Sequence, residues 1–328
     1  MASVQLCGFI STGVSAYAAR LWQALSHSAP RQPAQKPKLR CGRVPRMSAL
    51  VQAMLADFAS SGMVSTGVRH TCAVEASEER QLVCFGSNEH GECDVPPGLG
   101  PVVAVSAGTH HTCAVAAGGQ LRCFGANLFG ECDVPSHLGQ VVAVAAGSRH
   151  TCAIATDGRL TCFGYNGYGE CSVPPKLGPV AEVSAGFHHT CVVETDGHLT
   201  CFGYNGYGEC DVPEDLGPVS AVFVGKDHTC AIRVDGQLVC FGQTEDGKCD
   251  VPASLGQVVT ASVGTWHTCA VTADGQLTCF GYNGHRACDV PEDLGPVVAV
   301  AAGSRHTCAM KADGELVCFG SLSTQQTA

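Results

Sequence analysis

From about residue 61 onward, apolar residues come in short runs of four to six, and Gly, Pro or Asp-Gly interrupts every six to nine positions. Helices need 10–15 residues of sustained period, so this rhythm predicts short strands. One unit reads from Val141 to Leu177. Val141-Val142-Ala143-Val144-Ala145-Ala146 is a small-residue strand closed by Gly147. His150-Thr151-Cys152-Ala153-Ile154 is a second, Asp157-Gly158 a tight turn, and Leu160-Thr161-Cys162-Phe163 a third. Tyr165 to Gly169 is a loop. Glu170-Cys171-Ser172-Val173 is expected to be a short fourth strand, stopped by Pro174-Pro175 as an outer edge would be.

The unit repeats. His-Thr-Cys occurs seven times, with cysteines at 72, 113, 152, 191, 230, 269 and 308; the first step is 41 residues and the others are 39. A second series, followed by Phe-Gly, is Cys84, Cys123, Cys162, Cys201, Cys240, Cys279 and Cys318. A third, in segments like Glu-Cys-Asp-Val-Pro, is Cys93, Cys132, Cys171, Cys210, Cys249 and Cys288. Four short strands per unit of about 39 residues predict an all-β, seven-bladed β-propeller of four-stranded blades. The expected organisation is a targeting peptide or disordered tail over 1–38, a closing strand with a short helix or linker over 39–60, and the propeller over 61–328.

These motifs carry a resemblance. Val-Val-Ala-Val-Ala-Ala-Gly-x-x-His-Thr, then Asp-Gly-x-Leu, then Gly-x-Asn and Asp-Val-Pro, resembles the regulator of chromosome condensation repeat family, including the propellers of HERC-type ubiquitin ligases. The resemblance spans about residues 61–320. It implies a seven-bladed propeller that binds proteins. It is specific for fold and silent on the partner. The wedge insertion of the Ran exchange factor is not visible. The loop tryptophans of the related photoreceptor are represented by Trp266 alone. Ten residues follow Cys318, where a ligase would continue into its catalytic domain. Those activities are therefore not expected.

Composition changes the picture in two places. The chain has 328 residues and a formal net charge of −10, but residues 1–56 hold seven basic residues and no acid. The remainder carries 12 basic and 29 acidic residues, a balance of −17. A body this acidic repels phosphate backbones, so no direct nucleic-acid partner is expected. An acid-free N-terminus suits an organellar transit peptide; a secretory signal ending near Ala16-Tyr17-Ala18 and a plain tail are the alternatives. Intracellular residence is favoured. No run of 18 strongly apolar residues occurs, so no membrane span is expected. Repeat seven lacks a Cys-Asp-Val-Pro edge, whereas Arg40-Cys41-Gly42-Arg43-Val44-Pro45 roughly copies one. Residues 39–45 would close the ring.

Twenty of the 22 cysteines follow the lattice. A three-residue turn at Asp157-Gly158 would put Cys152 opposite Cys162, and a two-residue turn at Asn166-Gly167 would put Cys171 level with them. The reduced, apolar-packed state is the favoured reading, with cross-strand disulfides and a metal cluster as rivals. His and Cys two apart share a strand face, but a catalytic pair occurs once rather than seven times. The histidines are therefore expected to be buried hydrogen-bonding groups. No enzyme activity, metal or cofactor is expected.

Function should lie where the units differ on one face. Between Gly and His-Thr, the second variable position reads Arg69, His110, Arg149, His188, Asp227, Trp266 and Arg305; these side chains are expected to ring the channel mouth. The outer loops add Phe129, Tyr168, Tyr207, His285 and Arg286, with Tyr165 and Tyr204 nearby. Trp, Arg and exposed aromatics favour a protein partner. The competing readings are a recruitment module of a ubiquitin-ligase or GTPase-regulatory system and a secreted disulfide-bonded binder or inhibitor.

Overall fold

The computed structural model describes residues 64–75, 78–313 and 315–321. Residues 1–60, the closing segment 39–45 and Cys41 lie outside the described residues. Seven antiparallel sheets follow one another along the chain, each with three strands in sequence order. The inner strands are β1 (Val64–Thr66), β4 (Val102–Ala107), β7 (Val141–Ala146), β10 (Val180–Ala185), β13 (Val219–Val224), β16 (Val258–Val263) and β19 (Val297–Ala302). Strand β1 packs against β19, so the first and last blades meet. The fold is a seven-bladed β-propeller.

Blade 3 shows why the sequence folds this way. Its strands are β7, β8 (His150–Ala155) and β9 (Leu160–Gly164). The Ala155 carbonyl accepts from Gly158 N–H, and Ala155 N–H donates to Arg159, closing a three-residue turn with Gly158 at φ 81°. That turn sets the register, placing Cys152 opposite Cys162 and Ala145 opposite Cys152.

The expected fourth strand is absent. After β9 the chain folds into a turn held by Asn166, whose Oδ1 accepts from Cys171 N–H, while Gly169 N–H and Ser172 N–H close successive turns. Side-chain acceptors of Asn compete with the sheet ladder for backbone donors, and here they win. Among the described residues each blade is therefore three-stranded, and Cys171 is not level with Cys162.

The core lies between blades rather than within them. Cys152 and Ile154 of blade 3 pack with Val180, Val183 and Val192 of blade 4. Burying a Val or Ile side chain contributes about 1.5–3 kcal/mol. The inner strands use Ala and Val because the axis is crowded. A Cβ on Gly108 would lie 2.4 Å from the Gly147 carbonyl of the next blade.

The first two cysteine series are paired, in seven cross-strand disulfides from Cys72–Cys84 to Cys308–Cys318, with Cα separations of 4.0–4.1 Å. This departs from the favoured reduced state: the register brings each pair face to face, and the two sulfurs are bonded. The third series stays free. In it, Cys171 Sγ donates to the Tyr165 carbonyl, and burial pushes the thiol up to about 12.

The histidines are buried as expected, with one qualification of detail. His70, His111, His150, His189, His228 and His267 are 0–3% exposed, whereas His306 is half-buried. Each of the six reaches into the next blade: His150 Nε2 lies 2.9 Å from Thr190 Oγ1. That hydroxyl donates its single proton to the Glu170 carbonyl, 2.9 Å away. It must therefore accept from histidine, which fixes the Nε2–H tautomer. The same relay recurs at the junctions from His70–Thr112 to His267–Thr307.

Candidate functional site

The loops joining inner to middle strands, and the turns that follow the outer strands, open on one face. The first variable residue of each Gly-x-x-His loop lines the channel mouth: Val68, Thr109, Ser148, Phe187, Lys226, Thr265 and Ser304. The second-position residues were expected there and are not. Backbone bonds such as Ser148 N–H to the Gly186 carbonyl, 3.0 Å, tighten the inner ring. At His110, Arg149, His188 and Trp266 the second residue is turned outward, against the outer loop of the preceding blade.

The resulting contacts bridge the two loop sets. His110 meets His90 at 4.8 Å between centroids, Arg149 lies 5.1 Å above the Phe129 ring, and His188 meets Tyr168 at 5.0 Å. Trp266 is flanked by Lys226 Nζ at 5.0 Å and Lys248 Nζ at 5.5 Å. Arg69, Arg149 and Arg305 are exposed, and His110, His188 and Trp266 are half-buried. Asp227 departs from expectation: it is buried and paired with Lys226 at 3.3 Å. In blade 6, His285 is half-buried against Tyr282 at 5.6 Å, and Arg286 is exposed.

Across blades 2 to 4 the aromatics join into one row. Phe129–Tyr165, Tyr165–Tyr168, Tyr168–Tyr204 and Tyr204–Tyr207 stand 5.1, 6.0, 5.2 and 6.1 Å apart, all edge to face. Such pairs stabilise one another beyond simple area burial. Tyr165 and Tyr204 fold back over Gly167 and Gly206, where a Cβ would lie 2.2 Å from the phenol oxygen. Phe129, Tyr168 and Tyr207 remain 41–50% exposed, and the adjoining Leu128 is 82% exposed.

The lysines beside Trp266 were missed at the sequence level. The signal for Lys248 was there: it stands in Gly-Lys-Cys where blades 1 to 4 have Gly-Glu-Cys. In those blades the glutamate is buried and its Oε2 accepts a loop N–H, as Glu170 does from Tyr168. Lys248 bonds Gln243 Oε1 instead. Burial pushes its ammonium below the ordinary lysine range, although Asp227 opposes this. Burial likewise holds His110 and His188 below the usual imidazole value. Among the described residues, no group of three or more His, Cys, Asp or Glu side chains gathers to hold a metal, and no helix is long and apolar enough to cross a membrane.

Seven radial blades with a variable loop face define the class: a repeat propeller. Six segments, 102–131, 141–170, 180–209, 219–248, 258–286 and 297–323, match the model of the regulator of chromosome condensation (RCC1) repeat. The chain belongs to that family. No curated protein matches it in sequence. Similar solved structures include the ectodomain of the Physcomitrella patens receptor kinase CR4, with 24% identity, TM-score 0.67, and 80% of this chain and 73% of that one covered. Prp20p of Saccharomyces cerevisiae has 14% identity and TM-score 0.67, covering 75% and 81%. Human WBSCR16 has 18% identity and TM-score 0.62, covering 75% and 85%. At these identities the likeness concerns the fold.

Proposed function

We propose that this chain is a non-catalytic binding propeller that recognises a protein partner through its Gly-x-x-His-Thr loop face. One observation carries the reading. Side chains that differ between repeats are brought together into a continuous aromatic and cationic surface, while the opposite face repeats Asp-Gly turns such as Asp157-Gly158 and Asp196-Gly197. Aromatic and Arg side chains are the usual energetic centres of protein interfaces. Yeast Prp20p, which shares this fold, is described with its binding to Gsp1p and histones, so a propeller of this fold can serve protein recognition.

A second reading has its own support. Seven disulfides suit an oxidising compartment, which favours a secreted binder or inhibitor over an intracellular recruitment module. Either way the loop face would be the contact surface.

The test is cross-linking and pull-down with three proteins: wild type, Arg149→Ala/Trp266→Ala, and the opposite-face variant Asp157→Lys/Asp196→Lys. Partners captured by wild type should be lost from the first variant and kept by the second. Equal recovery by all three would sink the assignment of the face.

A further inference from the structure

The middle of the aromatic surface lies over carboxylates that no cation among the described residues pairs. We propose that Tyr168, His188, Tyr204 and Tyr207, backed by Glu170, Glu209 and Asp227, form a receptor for a basic side chain, an arginine or lysine presented by a protein partner. This rests on the loop-face reading and adds the chemistry of the ligand.

The rings form a patch. His188 stands 5.0 Å from Tyr168 and 6.3 Å from Tyr204, and Tyr168 and Tyr204 are 5.2 Å apart. Phe187 lies 6.1 Å from His188 on one side, and Tyr207 lies 6.1 Å from Tyr204 on the other. Tyr168 and Tyr207 are exposed. The faces of such rings are negative and attract cations. To either side of the patch the chain supplies that cation itself: Arg149 lies over Phe129, and Lys226 and Lys248 lie over Trp266. Among the described residues, no cation lies over Tyr168, His188, Tyr204 or Tyr207.

The charge beneath the patch is negative. Glu170 and Glu209 are buried, and the Oε2 atom of each accepts the N–H of Tyr168 or Tyr207, which places the carboxyl under the loop that bears the ring. Their Oε1 atoms are buried without a partner, as is His188 Nδ1. Burial pushes the Glu209 carboxyl above its ordinary range, and neighbouring Asp227 pushes it the same way. Burial lowers His188, and the Glu170 and Asp227 carboxylates act against this. Lys226, 3.3 Å from Asp227, answers one of the three carboxylates, and no salt bridge among the described residues reaches the other two. Blade 1 repeats the orphan oxygen at Glu92, but His90 and His110 stand at that junction in place of tyrosines. These facts select the ligand. Glu170 Oε1 and Glu209 Oε1 have no open surface, so they act through their field, which is strong at low dielectric and is not felt by a neutral sugar. An acidic segment is repelled. A basic side chain meets the ring faces, the field and the hydroxyls of Tyr168, Tyr204 and Tyr207, which make no hydrogen bond among the described residues.

The experiment uses the full chain and fluorescence polarisation at about 0.15 M salt. The probe is a labelled nine-residue peptide of alternating arginine and serine. A version with citrulline at each arginine keeps the shape and loses the charge, and cellohexaose is run as a competitor. Saturable binding of the arginine probe is expected, about tenfold tighter than the citrulline version. Glu170→Gln/Glu209→Gln keeps an acceptor for each loop N–H and removes the charge, so it should weaken binding about tenfold. Tyr168→Ala/Tyr207→Ala should do the same, and because both side chains are exposed it keeps the fold even if the glutamine pair does not. Asp157→Asn/Asp196→Asn removes equal charge from the opposite face and should leave binding intact, which separates a local site from the acidity of the whole body. No saturation, equal binding of the citrulline peptide, retention by the tyrosine variant, an equal loss in the opposite-face variant, or displacement by cellohexaose would each overturn the proposal. If the pull-down partners still depend on the loop face while the arginine probe fails to bind, the basic-ligand assignment falls and the face assignment stands.

Discussion

Six buried histidines give the propeller an acid-sensitive skeleton, and the size of the effect follows from the structure. Burial lowers His70 and His267 to about 4 and His111, His150 and His189 to about 3, and pushes His228 well below its usual value. An unfolded histidine titrates near 6.5. The unfolded chain therefore binds more protons than the folded one from about pH 6.5 down to pH 3–4. Stability is full above 6.5 and falls as pH drops through that window. At pH 5 the linkage penalty is about 2 kcal/mol for each histidine lowered to about 3 or 4, or about 10 kcal/mol for those five, with His228 acting in the same direction; that is comparable to a typical domain's whole stability. Most carboxylates titrate lower; Glu182, which burial raises to about 8, is the exception, and it releases about one proton on unfolding in the interval from pH 6.5 to 5, offsetting one histidine. Urea denaturation from pH 8 to pH 5, followed by Trp266 fluorescence, should show a steep fall in midpoint and a net uptake of about four protons on unfolding near pH 5.5. His150→Gln keeps a donor for Thr190 without titrating, so it should remove about one proton from that uptake. A midpoint flat across this range, or an uptake below about two protons, would refute the buried neutral relay.

Other expectations follow from single positions. Arg286 holds φ 59° where the equivalent residues of blades 1 to 5 are glycines at φ 72–86°; Arg286→Gly should raise stability by about 1 kcal/mol in thermal denaturation, and a lower Tm would contradict this. Seven disulfides take fourteen of the 22 cysteines and six more are free among the described residues, so titration under denaturing conditions should find six to eight thiols, while a count near 22 would mean that the pairs do not form. Cys152→Ala/Cys162→Ala, which opens a loop of ten-residue separation, should cost up to about 3 kcal/mol in the chain-entropy account, visible as a Tm several degrees lower. Removing residues 1–46 tests whether 39–45 close the ring: Tm and solubility should both fall, and no change in either would sink the closure.

The fold was legible because its signals are local and repeated. A 39-residue period, Asp-Gly turns and His-Thr-Cys strand starts all report one unit seven times, and Cys152 opposite Cys162 followed from turn length alone. The fourth strand was misread because Glu170-Cys171-Ser172-Val173 looks strand-like, and only the three-dimensional turn shows Asn166 taking the donors a strand would need. The cysteine state was misread for a related reason: face-to-face register is legible, but the choice between thiol and disulfide is not a matter of spacing. The site was half legible. Phe129, Tyr168 and Tyr207 were identified singly, yet their joining through Tyr165 and Tyr204 depends on how neighbouring blades pack. Asp227 looked like a surface residue until its burial beside Lys226 was seen.

The sequence by itself determined the number of blades, the strand order within each and the face on which the repeats diverge, because these follow from chain-local periodicity and turn chemistry. The tertiary structure decided which of two adjacent loop residues lines the channel and which turns outward. It also decided which histidine meets which threonine, and that separate aromatics form a row. Those outcomes depend on contacts between units about 40 residues apart, whose geometry is set by the curvature of the closed ring and not by any stretch of chain within it.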